Sequence, residues 1–440
     1  MLERVLNHHP RRFEMTNELH ARPFMTVPVP GRLVSIAFKQ TDNAQARDPD
    51  RDRAHMLAFV DRHGGQYPAP GSNHYLGNFG RFTMKWERHT EFVTYMLVAD
   101  DNGDDELFDS LLAEHFPAEW LAEAPGKVIA AVEIEVIHAD SLEAAHAMIA
   151  TGRLRSEFSH ESLAVARTLD DQALAVGDFR IHEGGFSRFA LIVFGETGER
   201  RIGRAVQRLV EIENYRMLAM LALPIARRAG ARLNEIDREL SDLIAIVADK
   251  TRDVAEQVIL DQLTALSAEI EALSASTAFR FGAARAYEAI VHERIAMMRE
   301  ERLQGRQLFS EFMMRRFDPA MRTCRATEQR LEDLATRASR IADLLRTRVD
   351  VALEAQNQKL LRSMDERAAL QLRLQETVEG LSIVAISYYA VSLVAYVIKP
   401  FAAYRVGMSE TLAVGLSTPV VVLVVWLFVR SIRRRVARGR

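Results

Sequence analysis

Two runs near the end of the chain limit its fold more than any other feature. Leu381–Ile398 (LSIVAISYYAVSLVAYVI) and Thr411–Val429 (TLAVGLSTPVVVLVVWLFV) carry no charge and are apolar on every side. Each is long enough to cross roughly 30 Å of hydrocarbon as a helix. A helix apolar on every side is either a buried core helix or a membrane span; two such runs close together near the C-terminus favour the second, so the expectation is a transmembrane hairpin over residues 381–429. Six arginines crowd residues 430–440 (RSIRRRVARGR), whereas the intervening loop KPFAAYRVGMSE holds two basic residues. Basic residues favour the cytoplasmic side, which predicts a cytoplasmic tail and, with two spans, a cytoplasmic N-terminal part. Pro419 and Gly415 are expected to loosen the second span, with Trp426 near the interface.

The formal charge of −3 conceals an asymmetry. After Gly380 there are eight basic residues against Glu410 alone, which leaves 49 basic and 59 acidic residues before it. An acidic head of that kind argues against nucleic acid as a partner. The single cysteine, Cys324, can form neither an internal disulfide nor a thiolate zinc site, which suits a reducing compartment. The opening MLERVLNHHPRRFEM lacks the apolar run of a secretory signal, so the head is expected to stay in the cytoplasm.

Nine of the 13 prolines precede residue 126, while one glycine and no proline lie between Pro319 and Pro400. The chain therefore passes from mixed to helical. Strands are expected at Leu33–Phe38, Phe82–Trp86, Phe92–Val98, Val128–Ile137, Ser162–Arg167, Phe179–His182 and Phe186–Phe194, the last two joined at Gly184-Gly185. Helices are expected at Ala54–Arg62, Glu106–Glu114 and Leu142–Ile149. This pattern predicts an α/β or α+β head over 1–195 and a long-helix bundle or stalk over 196–380. Pro224, Gly230, Gly282, Gly305 and Asp318-Pro319 are candidate corners. From Leu334 through Ala338, Leu345, Leu353, Leu360 and Met364 to Leu372, one nearly apolar stripe recurs at a mean spacing above the 3.5 of a left-handed coiled coil. A straight stalk running into the first span follows.

Candidate chemistry is sparse. His20 in NELHARPF, and Glu87, His89 and Glu91 in KWERHTEF, form the densest groups of metal-ligating or acid–base side chains. On a strand, Glu87, His89 and Glu91 would share one face, where ion pairing in solvent is the plainer role. Tyr388, Ser392 and Tyr396 recur along one face of the first span, beside Ser382 and Tyr389, and could line a polar path or serve close helix packing. There is no Walker loop, HExxH or GxSxG, and Cys324 sits among arginines in a helical stretch, so an enzyme is the least favoured class.

NELHARPF at 17–24, KWERHTEF at 85–92 and GRAVQRLVEIENYRMLAMLALPIAR at 203–227 resemble a bacterial family of predicted membrane-anchored proteins, domain of unknown function 3422. The resemblance implies a bacterial inner-membrane protein and supplies no activity. The plan of head, stalk, span, short loop, span and basic tail also resembles the CorA-type magnesium channels. Their Gly-Met-Asn signature has an inexact counterpart in Gly407-Met408-Ser409, displaced from the first span and flanked by Lys399 and Arg405. The function expected is that of an oligomeric membrane-tethered scaffold or sensor, binding a protein or small molecule without any cofactor identified. CorA-like divalent cation transport is the alternative, and a tethered enzyme the third.

Overall fold

The computed structural model describes residues 7–13, 15–16, 24–41, 47–100, 106–109, 111–248, 256–405 and 410–437. The chain forms two compact units, Met1–Ala342 and Asp343–Arg440. A mixed α/β sheet domain is followed by a long helix and an apolar C-terminal helix.

The first unit is built on one sheet of β1 (Gly31–Lys39), β2 (His74–Asn78), β3 (Thr83–Arg88), β4 (Phe92–Asp100), β5 (Lys127–His138), β6 (Ala164–Thr168), β7 (Ala173–Ile181), β8 (Ser187–Val193) and β9 (Glu301–Arg302). Their order is β2-β3-β4-β1-β5-β8-β7-β6-β9. Each half repeats one plan, a strand, a helix and a three-strand meander whose last strand returns beside the first. The return is antiparallel in one half (β1 with β4) and parallel in the other (β5 with β8).

All nine residues of β1 are buried, as expected of a central strand covered on both faces. Leu33 joins Val132, Ile134, Phe189 and Leu191 on one face. There they meet Ile202, Val206 and Leu209 of α4 (Glu199–Met220) and Phe281, Val291 and Ile295 of α6 (Glu256–Met298). Val34, Ile36 and Phe38 point the other way, toward Met56, Phe59 and Val60 of α1 (Pro49–His63). Trp120 of α2 (Ala118–Ala122) completes that cluster. Beside it, α3 (Leu142–Ala150) packs Ala145 and Ile149 on Val165, Val176 and Ile192. At about 1.5–3 kcal/mol for each large apolar side chain buried, these two layers hold the sheet. The local signals agree: the Asp48 side chain accepts from the backbone N–H of Asp50 and Arg51, Pro49 opens α1, and Gly64 ends it at φ 72°.

The helical part begins on the sheet. Leu221 separates α4 from α5 (Ala222–Ala248), and α6 runs through Gly282 without a corner. Gly305 does mark a turn, at φ 75°, before α7 (Phe309–Arg316), and α8 (Asp318–Arg405) starts at the Asp318-Pro319 corner. Because α4 and α6 need the sheet to cover their apolar faces, the compact unit reaches Ala342, well past the boundary expected at 195.

Among the described residues of 106–114 the expected α-helix is absent, and a short 3-10 turn, Ala113–His115, stands at its end. Phe108 is left-handed at φ 57°, its N–H donates to Glu135 Oε1 (2.9 Å), and Arg32 donates to the carbonyl of Glu106 (3.0 Å) and to Asp109 (2.6 Å). Buried polar partners therefore override a helical pattern.

In the second unit, the later part of α8 and α9 (Glu410–Ala437) leave their apolar side chains uncovered. The stripe buried at Leu334 and Ala338 is exposed at Leu353, Leu360, Met364 and Leu372. Two stretches, α8 up to Ile398 and Val414–Ile432 in α9, are long and apolar enough to cross a membrane, and at most 6% of either apolar window is buried.

Candidate functional site

Where β1 ends and β5 begins, Lys39 stands directly opposite Lys127. Like charges in register oppose strand pairing. The conflict is resolved by separating them: Lys39 is buried against Glu91, and Lys127 is exposed. Gly126, just before β5, has φ 141°, and a Cβ there would lie 2.6 Å from the Lys39 carbonyl oxygen. Only glycine lets the two chains pass so closely.

Two helices close the space beyond this strand end. Arg228 follows Pro224 by about one turn on α5, and Phe279 and Arg280 come from α6. The result is an open cleft of about 700 Å³ with Lys39, Lys127, Arg228 and Arg280 on its walls and Val128, Ile129, Leu221, Ile225 and Phe279 between them. No carboxylate lines it among the described residues. Val128 is 53% exposed and Phe279 38%, so the apolar part is open to solvent.

Glu91 lies behind the wall and organises it. Its Oε2 meets Lys39 Nζ at 3.0 Å and Arg280 Nη2 at 2.7 Å, and its Oε1 accepts from the Tyr287 hydroxyl at 2.8 Å. Burial alone would raise this carboxyl, but the three donors outweigh it and hold the group below its usual range. Burial lowers Lys39, and the Glu91 hydrogen bond offsets that only in part while Arg280 and Arg47 add repulsion. One carboxylate shared by two cations is better satisfied than either of them. Burial, with the charge of Glu91, raises the Tyr287 phenol. Arg280 Nη1 is buried with no hydrogen-bond partner among the described residues, so the cleft wall retains an unused donor.

A neighbouring network stiffens the same strand end. Arg47 binds both oxygens of buried Asp52 (2.6 and 2.7 Å) and the carbonyls of Phe38, Glu91 and Pro125. His55 bonds the Tyr95 hydroxyl (2.8 Å) and the Trp120 carbonyl (2.9 Å), and burial lowers its pKa to about 4, so it is neutral.

Of the residues singled out from the sequence, Glu91 belongs to this site. It does not share a strand face with Glu87 and His89, because β3 ends at Arg88 and the hairpin closes by His89 N–H to Phe92 O (2.8 Å). Glu87 pairs with Lys85 (3.2 Å), and His89 stacks on Phe92 at 4.2 Å between ring centres. His20 lies outside the described residues, as do Gly407, Met408 and Ser409. On the first apolar run Tyr388 and Tyr396 are exposed, and the Ser392 hydroxyl is spent on the Tyr388 carbonyl (2.9 Å). Ser387, one residue before that row, is the buried one. Cys324 is buried, and its thiol is pushed up to about 11 chiefly by burial, which makes it inert.

A different trio, Glu288, His292 and Asp318, brings potential metal-ligand atoms within 4.8 Å of one another. Arg325 already binds Glu288, and His292 faces Asp318 at 3.2 Å, so a polar junction between α6 and α8 accounts for it.

The cleft's lysines and arginines were not read from the sequence. The one available cue was Lys39, a charge directly after the apolar Ile36-Ala37-Phe38 at the end of β1. The other members come from elements far apart in the chain.

Residues 7–436 match the family model described as "Protein of unknown function (DUF3422)", and the chain belongs to that family. No curated protein matches it significantly. Among solved structures it is similar to one titled "structure of the full-length CmaX protein", at 13% identity over 69% of this chain and 89% of that one, with a TM-score of 0.19. A likeness so loose carries no argument.

Proposed function

We propose that this member of the DUF3422 family is a bacterial inner-membrane binding protein or sensor, with both termini cytoplasmic, whose head takes up an amphipathic organic anion. The observation that carries this reading is the cleft, where four cationic side chains, one with an unused buried donor, surround exposed apolar surface. A carboxylate or similar head group would bind Arg280, Lys39 and their neighbours, and an apolar body would cover Val128 and Phe279. Two uncovered apolar helical stretches supply the anchor. The exposed stripe Leu353, Leu360, Met364 and Leu372 supports self-association of the stalk through a second copy of the chain.

The test uses the full chain purified in detergent and dodecanoate as the probe. Saturable binding is expected, and reversal of two exposed wall charges, Lys127→Glu with Arg228→Glu, should weaken it by about tenfold or more, since each loses an attraction and gains a repulsion. Unchanged affinity in the double variant would remove the reading. Anchoring has its own test: a reporter active only in the cytoplasm should work at the N-terminus and after Arg440 and be silent near Ala403. Magnesium flux into liposomes from the purified oligomer would replace the binding protein with the cation-transport alternative.

A further inference from the structure

A second cationic cleft lies away from the first and depends on none of its residues. Arg201, Arg204 and Arg208 recur at helical spacing along α4, whose other side buries Ile202, Ala205, Val206 and Leu209 in the main core. With Arg299, which follows the end of α6, they line a cleft of about 290 Å³ whose single carboxylate among the described residues is Asp170.

Asp170 does not neutralise this group. It accepts from Arg201 Nη2 at 2.6 Å and lies 3.6 Å from Arg299 Nη1, while Arg204 and Arg208 have no carboxylate within salt-bridge distance among the described residues. Arg294 is occupied by Glu211. Burial, followed by repulsion from Arg204 and Arg294, lowers the Arg208 pKa, and the nearby charge of Glu211 opposes this only in part. Asp170 serves only Arg201 and Arg299, and the attraction of Glu211 offsets the crowding of cations at Arg208 only in part, so the four guanidinium groups favour entry of an anion.

The backbone that shapes the cleft is also unusual. Leu169, Asp170 and Asp171 are consecutively left-handed, at φ 56°, 54° and 66°, and Arg299 opposite them is left-handed at φ 49°. Glycine occupies none of these positions, and leucine is a poor occupant of such a conformation. The surroundings enforce it: Thr168 Oγ1 donates to the Met298 carbonyl (2.7 Å), and Arg167 holds Asp171 (3.2 Å) and Glu301 (2.7 Å). Strain maintained at a polar cleft is a mark of a ligand clamp.

We propose that this cleft binds a phosphate group. Planar guanidinium forks match the oxygens of a phosphate better than a point charge does, and the volume leaves room for a small organic body beyond it. The group can come from a soluble phosphate ester or from a lipid head group.

The experiment follows thermal unfolding of the full chain in nanodiscs of zwitterionic lipid, titrated with sodium phosphate or with sodium chloride at equal ionic strength. Phosphate should raise the melting temperature saturably, and chloride should not. Arg204→Gln with Arg208→Gln should weaken the phosphate response by about tenfold or more, and without phosphate this variant should be at least as stable as the parent because the repulsion is relieved. Asp170→Asn keeps a residue that tolerates the left-handed backbone and should tighten phosphate binding, which tests the proposal even if the double variant fails to fold. Nanodiscs rich in phosphatidate separate the two sources. A lipid head group already in the cleft would raise the melting temperature and abolish the response to added phosphate, whereas a soluble ligand would leave that response intact. Equal effects of phosphate and chloride, or unchanged phosphate affinity in both variants, would overturn the proposal.

Discussion

Lys39 and Leu360 are both misplaced by composition, one a buried charge and the other an exposed apolar side chain. The first unit settles its case internally, because Glu91, Arg280 and Tyr287 complete a hydrogen-bonded cluster around the lysine. In the second unit nothing among the described residues covers Leu360, Met364 or Leu372. A head stabilised from within is thus joined to a segment whose stability depends on its surroundings. Substitutions in the two regions should register in different measurements.

The largest effect is expected at Glu91. Glu91→Ala leaves Lys39 and Arg280 buried without their carboxylate, which should cost about 3–5 kcal/mol. Urea unfolding followed through Trp86 and Trp120, both in the head core, would measure it. A loss under 1 kcal/mol would mean that the cluster is solvated and the contrast with the stalk false.

The next effect concerns acid. The histidine at position 55 binds its proton near pH 6.5 when unfolded and only near pH 4 when folded, so protonation favours the unfolded chain. Stability is fully present above pH 6.5 and should fall by roughly 3 kcal/mol as pH drops to 4. In His55→Gln the decline over this range should be smaller, the remainder coming from His63, whose pKa burial also lowers, and at lower pH from carboxylates such as Glu91. An identical pH profile in this variant would remove the assignment.

In the stalk the direction reverses. Leu360→Glu with Met364→Glu should abolish self-association, read by light scattering, while shifting head stability by no more than about 0.5 kcal/mol. A large loss of head stability would show that the two regions are not energetically separate. The smallest effect is chemical: Cys324 should resist thiol reagents in the folded protein, whereas Val351→Cys, at a position 62% exposed, should label at once.

Most strands and the long helices were legible because their apolar residues recur at the right period over enough positions. The Gly184-Gly185 turn, too, lies between β7 and β8 as expected, with Gly185 at φ 84°. β2 escaped because HYLGN is short and half exposed, and the first half of β7 because ALAVG offers small side chains with no alternation. Residues 106–114 misled because Arg32 and Glu135, distant in sequence, decide that backbone. The main cleft was almost invisible for the same reason. Glu91 was found as a possible ligand, but its partners at 39, 280 and 287 have no shared local pattern.

The two rims of the sheet bear on crowding. β9 is only two residues long, both charged, with Glu301 tied to Arg167, and at the far side β2 has five residues with Gly77 roofed by the Tyr75 ring. Heads held on one surface, as proposed here, meet at far higher effective concentration than free molecules do. A long, bare outer strand would let such neighbours zip into a continuous ribbon. With so little backbone on offer at either side, adjacent heads can come into contact without recruiting one another, and any association is left to the stalk.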